Sequence, residues 1–438
     1  MAQLLAGVAK VNITPAIGFD NMCDFMILKP AQDVAGELMA RALVLDDGRT
    51  KAAIVTADLL WFTGEIVEAV RGHVERLTGI PGTNVILNCS HTHASAEVTP
   101  SFGASAEYIR ELGKKVAGAI YMADQAKEPV TVGHGKGECR IGMSRWLRTE
   151  EGCRWAPAPE SPCDHEVGVL RFDRLDGSTL AVLFNFPAHP SMFNSPKFLQ
   201  YSCEYPGFAA EEVEQQFPGA IGMMLMGAGG DIKIFKETDD GPKFVLGDEN
   251  ETRHYGRLLG TEATRVALQI ATREVAELRM LSETVELPLV PPFEAEHYEQ
   301  EAQAIRDAGV TPAETYRLEW AERSAEIVRS GTAPSSVPNE VQLLLIGDEI
   351  ALFATPGELF NQVGSRIKEA LGVPGAFMAA YCNDTPHVGY LPSRLVESWN
   401  WCQSDHQLKY FTRPVLPSNF SGEVEDILVA AARKMMER

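Results

Sequence analysis

Asn84-Val85-Ile86-Leu87-Asn88-Cys89-Ser90-His91-Thr92-His93 is the stretch on which the reading of this chain turns. An apolar run of strand length, 85–89, feeds directly into two histidines spaced by two, as in a strand buried on both faces. Period-two geometry turns the His91 and His93 rings to one face at the strand's end, which is where open α/β sheets place their sites. Imidazole is the commonest metal ligand, so the pair points to metal binding or catalysis, against the plainer reading of a satisfied core histidine.

The pattern recurs outward from there. Apolar runs lie at 42–45, 52–56, 167–172, 180–184, 221–226, 341–346, 351–354 and 377–381, and helical signals mark 63–78, 105–126, 205–216, 248–278, 359–371 and 423–436. This alternation predicts an α/β fold of stacked mixed β-sheets covered by α-helices. Two helix starts carry capping-box spacing: Asp248 with Glu251, and Thr311 with Glu314, the second with Pro312 at the first helical position. Residues 294–330 read as two charged helices broken at Thr311-Pro312, with Tyr316, Trp320 and Ile327 on one apolar stripe, either an outer layer or a lid. No internal repeat is visible and the Pro-rich piece 156–162 is a loop. Residues 1–438 therefore read as a single catalytic unit with a helical insertion at 294–330.

Two further strands end in chemistry. One runs into Pro187-Ala188-His189-Pro190, where prolines fix the backbone around the ring, and another into Ala354-Thr355-Pro356-Gly357-Glu358. Glu358 alone reads equally well as a carboxylate placed at a helix start. Together the three strand ends supply His, His and Glu, a catalytic zinc set with an open fourth position. Gly227 through Asp231 lacks nucleotide-loop spacing and reads as a turn bringing backbone near the site. Asp58 is a candidate to orient a ligand histidine from behind, Asn383 and Asp384 to contact substrate, and Trp399 and Trp401 to wall the pocket. Cys89 and Cys382 read as small core residues; His73, His134, His165, His254, His297 and His406 receive no role.

Short motifs in a fixed order add to this. Ser90-His91-Thr92-His93, Phe186-Pro187-Ala188-His189, Gly230-Asp231-Ile232, Pro356-Gly357-Glu358 and 383–392 resemble, in sequence, blocks of the neutral/alkaline ceramidase family, as do Ile141-Gly142-Met143-Ser144-Arg145 and 164–172. The resemblance spans nearly the whole chain. It implies a ceramidase-like catalytic domain with one zinc ion bound by His91, His189, Glu358 and Tyr390. It further implies that His93 and Arg145 contact the scissile carbonyl or leaving group, and that a metal-activated water attacks an amide. The residue chemistry agrees, since His93 and Arg145 can pass a proton or stabilise an oxyanion.

Two departures bear on substrate. Lys233 stands where the family carries a Ser soon after Gly-Asp, and a longer block precedes Tyr390, which leaves His387 as an alternative ligand. Lys233 and Arg145 together predict an anionic group on a small soluble substrate, against the bland reading of Lys233 as a solvated loop cation.

Bulk composition narrows the partners. The 438 residues are 45% hydrophobic and 23% charged, which is ordinary globular composition, and the formal net charge of −21 argues against nucleic acid and anionic membranes. Eight scattered cysteines without a C-x-x-C pair read as reduced thiols. The start lacks a basic leader with an apolar run, no stretch is long enough to span a membrane, and no Ig-like extension follows the Tyr390 block. The expectation is a cytoplasmic hydrolase of an amide, with an ester or lactone next, acting on a small molecule; a homo-oligomer stays open. The rivals are a metal-dependent lyase or isomerase using Lys233 as base, and a non-catalytic binding protein on the same scaffold.

Overall fold

The computed structural model describes residues 3–23, 29–100, 103–193, 198–311, 314–401 and 416–438; Pro312, Cys402 and His406 lie outside them. Within it one topological unit occurs three times: three antiparallel strands, a helix, a fourth strand parallel to the third, and a closing helix. The first comprises Leu5–Asn12, Met39–Asp46, Lys51–Ala57, helix Gly64–Thr78, Val85–Cys89 and helix Ala106–Gln125. The second comprises Glu128–Glu138, Glu166–Arg174, Thr179–Phe186, helix Glu204–Gln216, Ile221–Met226 and helix Glu249–Ala267. The third comprises Leu278–Pro288, Ser336–Ile346, Ile350–Ala354, helix Asn361–Leu371, Gly375–Ala379 and helix Glu423–Met436. The expectation of no repeat is thereby corrected. The repetition lies in the order and pairing of elements, and the loops between equivalent elements share no pattern that would disclose it.

The first two units join edge to edge where Leu5 and Ala6 pair with Pro129 and Glu128, giving one eight-stranded mixed sheet. The third forms its own four-stranded sheet and stacks on the first, with Ile54, Leu183 and Leu225 meeting Leu344, Leu352 and Phe377 in the layer between. Helices cover the outer faces, so the strands are buried on both sides, which is why Val85–Cys89 and Ile221–Met226 are apolar but for Asn88. The parallel pairing of third and fourth strands in each unit requires a crossover, and the intervening helix supplies it.

Several boundaries differ from the sequence reading. The helix expected over 248–278 stops at Ala267; Arg273 then pairs with Val132 at the sheet, and Leu278 opens a strand. The helix expected from 359 begins at Asn361, because Glu358 and Leu359 pair in parallel with Tyr390 and Leu391. Thr311 and Glu314 do form reciprocal capping bonds, and Asp248 caps Glu251 N at 3.1 Å.

The insertion forms helices Ala295–Ala308 and Thr315–Arg329. Trp320 is buried, its Nε1 donating to Leu416 O at 3.0 Å, while Tyr316 packs against a different apolar cluster. Among the described residues no disulfide forms and no helix is long and apolar enough to cross a membrane.

Candidate metal centre

The three units meet at the carboxyl ends of their strands. Asn88, fully buried on Val85–Cys89, accepts from Met226 N at 2.8 Å and donates to Ala380 O at 2.5 Å, tying the first unit to the fourth strands of the other two. Directly beyond that junction stand His91, His189 and Glu358. The Nε2 atoms of His91 and His189 lie 3.2 and 3.1 Å from the same oxygen, Glu358 Oε2. The ligating atoms of His91, His93 and His189 fall within 4.8 Å of one another, so this largely buried histidine group could hold a metal ion.

Backbone carbonyls orient the two fully buried rings. His91 Nδ1 lies 2.8 Å from Leu60 O and His189 Nδ1 2.6 Å from Gly229 O. A carbonyl only accepts, so both rings carry a proton on Nδ1 and present Nε2 to Glu358. His189 Nε2 and Glu358 Oε2 are buried without a hydrogen-bond partner.

Burial first, then the Arg145 cation, push the His189 pKa down to about 3. Burial and the neighbouring His91 and His189 hold His93 well below the usual imidazole range. Burial would raise the Glu358 carboxyl, but His91 and His189 outweigh it and hold it well below the ordinary carboxylate range.

Backbone strain gathers around the same point. His91 (φ 65°), Glu204 (φ 48°), Tyr381 (φ 53°) and Asn383 (φ 49°) adopt left-handed backbone, with Asn400 the other described non-glycine residue to do so. Tyr381 lays its ring 4.3 Å from that of His91, centroid to centroid, and its hydroxyl 3.5 Å from His189 Nδ1. Gly230 passes so close beneath the third unit that a Cβ there would lie 2.3 Å from Glu358 O.

The remaining candidates divide. Arg145 is buried and donates from Nη2 to Gly230 O at 2.6 Å and to Tyr390 Oη at 2.9 Å, while Tyr390 is the register partner of Glu358. Lys233 is 6% exposed and donates to Ser191 Oγ at 2.5 Å, and its charge acts on His93; it is no solvated loop cation.

His387 instead lies in the field of Asp384, so Tyr390 is the residue beside Glu358. Asn383 bonds Glu340 and Gln342, a structural tie in place of the expected substrate contact. Asp58 pairs with Arg41 at 2.9 Å, and the carbonyl that orients His91 belongs to Leu60, two residues on. Trp401 is buried, its ring edge-on to those of Phe360 and Tyr390. Asn88, Tyr381 and Glu204 are not among the sequence candidates; a carboxylate at a helix start, as at Glu204, is too common to single out.

No protein-family model matches the chain. Among solved structures, the neutral ceramidase from Pseudomonas aeruginosa superposes with a TM-score of 0.73 at 17% identity, over 100% of this chain and 75% of that one. This is the ceramidase fold. A ceramidase complexed with C2 matches as well, at TM-score 0.73 and 18% identity over the same shares. Identity this low carries the ceramidase fold and leaves the chemistry to the site itself.

Proposed function

We propose that the chain is a zinc-dependent hydrolase of an amide, or of an ester or lactone, in a small soluble anionic substrate. The observation that carries this reading is the convergence of two buried imidazole nitrogens, His91 Nε2 and His189 Nε2, on one carboxylate oxygen, Glu358 Oε2, at 3.2 and 3.1 Å. A cation at that point would take these converging side chains as ligands. The donor set fits: His91, His189 and Glu358 would hold the ion, with Tyr390 adjacent as the fourth. Zinc, when bound, lowers the pKa of its water to about 7 and polarises a carbonyl.

The chain's own side chains supply the rest. His93, kept neutral by burial and its neighbours, can take a proton or donate one to a developing oxyanion. Arg145, anchored on Gly230 O and Tyr390, directs positive charge to the same place. Lys233 and Arg145 favour an anionic group on the substrate. The reading includes a cytoplasmic location, one catalytic unit over residues 1–438, and no nucleic-acid or membrane partner, in keeping with the net charge of −21.

Metal analysis of the purified protein, followed by turnover of an amide, ester and lactone panel in ¹⁸O-labelled water, tests it. About one zinc per chain, activity lost to a chelator and restored by zinc, and label in the product are expected. Turnover without label would favour the lyase or isomerase reading, and zinc without turnover across the panel a binding protein.

A further inference from the structure

Glu204 is a buried carboxylate that the chemistry above leaves unused. It opens the helix Glu204–Gln216, has 0% exposure and holds φ at 48°, a conformation glutamate keeps only where its surroundings over-determine it. The bland reading is a carboxylate capping its own helix, yet its acceptor bond runs outward: Met192 N donates to Oε2 at 2.9 Å.

Two loops converge on it. On one side, Thr92 Oγ1 donates to Ser202 O at 2.8 Å, Ser202 N to Ala94 O at 2.9 Å, and Glu204 N to Ser202 Oγ at 3.1 Å, which stitches 202–204 to the segment carrying His93. On the other, Met192 directly follows Ser191, whose hydroxyl and carbonyl receive the Lys233 ammonium at 2.5 and 3.2 Å. His93 N donates to Pro190 O at 3.1 Å, so the two loops touch at this point. The amides of Phe193 and His93 also act on the Glu204 carboxylate, and Lys233 lies in the field of both Glu204 and His93.

We propose that Glu204 is a positioning residue: its carboxylate locks the His93 loop against the Ser191 loop and so sets where His93 and the Lys233 ammonium stand relative to His91, His189 and Glu358. This rests on the reading of the cluster as a catalytic centre. The hydrogen bonds described for Glu204 reach none of those three side chains, so with the ligand set proposed above zinc is retained without it.

Glu204→Gln keeps the shape and loses the charge and one acceptor; Glu204→Ala loses both acceptors. Hydrogen–deuterium exchange on the zinc-free proteins is the direct readout. In Glu204→Gln, peptides covering 90–95 and 190–193 exchange several-fold faster while the rest of the chain matches the parent. In the zinc-loaded protein, zinc content is unchanged and kcat falls about 10- to 100-fold, the range for groups that orient a metal site's residues, with KM moving less. Glu204→Ala extends both effects, and if it does not fold, Glu204→Gln alone decides. Parent-like exchange in both loops overturns the proposal, as does faster exchange spread over the whole chain or a loss of zinc in step with kcat. A parent that binds no zinc and turns over nothing would instead sink the functional reading, and the exchange measurement would still report on the tether.

Discussion

The third strands of the three units end at equivalent places and present Asp58, His189 and Glu358, yet only two of these face the candidate metal centre. Asp58 meets Arg41 at 2.9 Å and Met39 N at 2.9 Å, so its charge is answered inside its own unit. Glu358 meets two imidazole nitrogens of rings fixed from behind by backbone carbonyls. Repeated topology delivers side chains to one place, and what neutralises each of them decides its role. The first unit reaches the centre through its fourth strand instead, by way of His91 and His93.

Breaking the Glu358 side of this comparison has the largest expected effect. Glu358→Gln should release the metal and lower kcat/KM by more than about 100-fold, beyond the 10- to 100-fold typical of residues that only orient ligands. Metal analysis and kinetics on the same preparation check it; retained zinc with parent activity would remove Glu358 from the centre. Asp58→Asn should do the reverse, keeping zinc but leaving the Arg41 charge buried and unanswered. Removing one partner of such a pair costs about 3–5 kcal/mol, measurable by urea unfolding. Loss of zinc in Asp58→Asn would make the two positions equivalent after all.

What the sequence discloses follows the same division. Strands buried on both faces, Val85–Cys89 and Ile221–Met226, are legible to the residue, because Asn88 is the one polar side chain in either. The first strands of the units, Leu5–Asn12, Glu128–Glu138 and Leu278–Pro288, escape notice. Each mixes exposed or half-buried polar residues with glycine or alternation, and each lies at a seam or an edge of its sheet. His91, His189 and Glu358 can be singled out because chemically distinctive residues close apolar runs. Tyr381 and Asn88 cannot, since a tyrosine or asparagine ending a strand has many ordinary uses, and their roles depend on contacts with segments over a hundred residues away.

A smaller effect sharpens the contrast through protonation. His189, pushed down to about 3, should stay neutral in zinc-free protein until the pH is well below 5. The unfolded chain takes this proton first as pH falls through about 6.5, so His189 alone costs the fold up to about 1.4 kcal/mol per pH unit between there and 3. Glu204 and Asp231, both pushed up to about 7 chiefly by burial, act with opposite sign and lose stability as pH rises toward 7. Bulk stability therefore mixes the contributions, and imidazole ¹⁵N NMR of the zinc-free protein is the cleaner measurement. A His189 ring that protonates near 6.5 would mean that the pocket is open to water and its burial does not hold in solution.

The smallest expected effect concerns Lys233, which marks the substrate end of the centre. Its ammonium is held by Ser191 and flanked by the Trp155 ring at 6.0 Å, so removing it leaves the strand pairing of Ile232 with Ser144 intact. If Lys233 receives an anionic group, Lys233→Ala should raise KM about tenfold, near 1.4 kcal/mol, for a substrate bearing a carboxylate and leave its uncharged counterpart nearly unaffected. Equal losses for both substrates would instead tie Lys233 to His93, whose pKa it depresses, and unchanged KM and kcat for both would end the case for an anionic substrate.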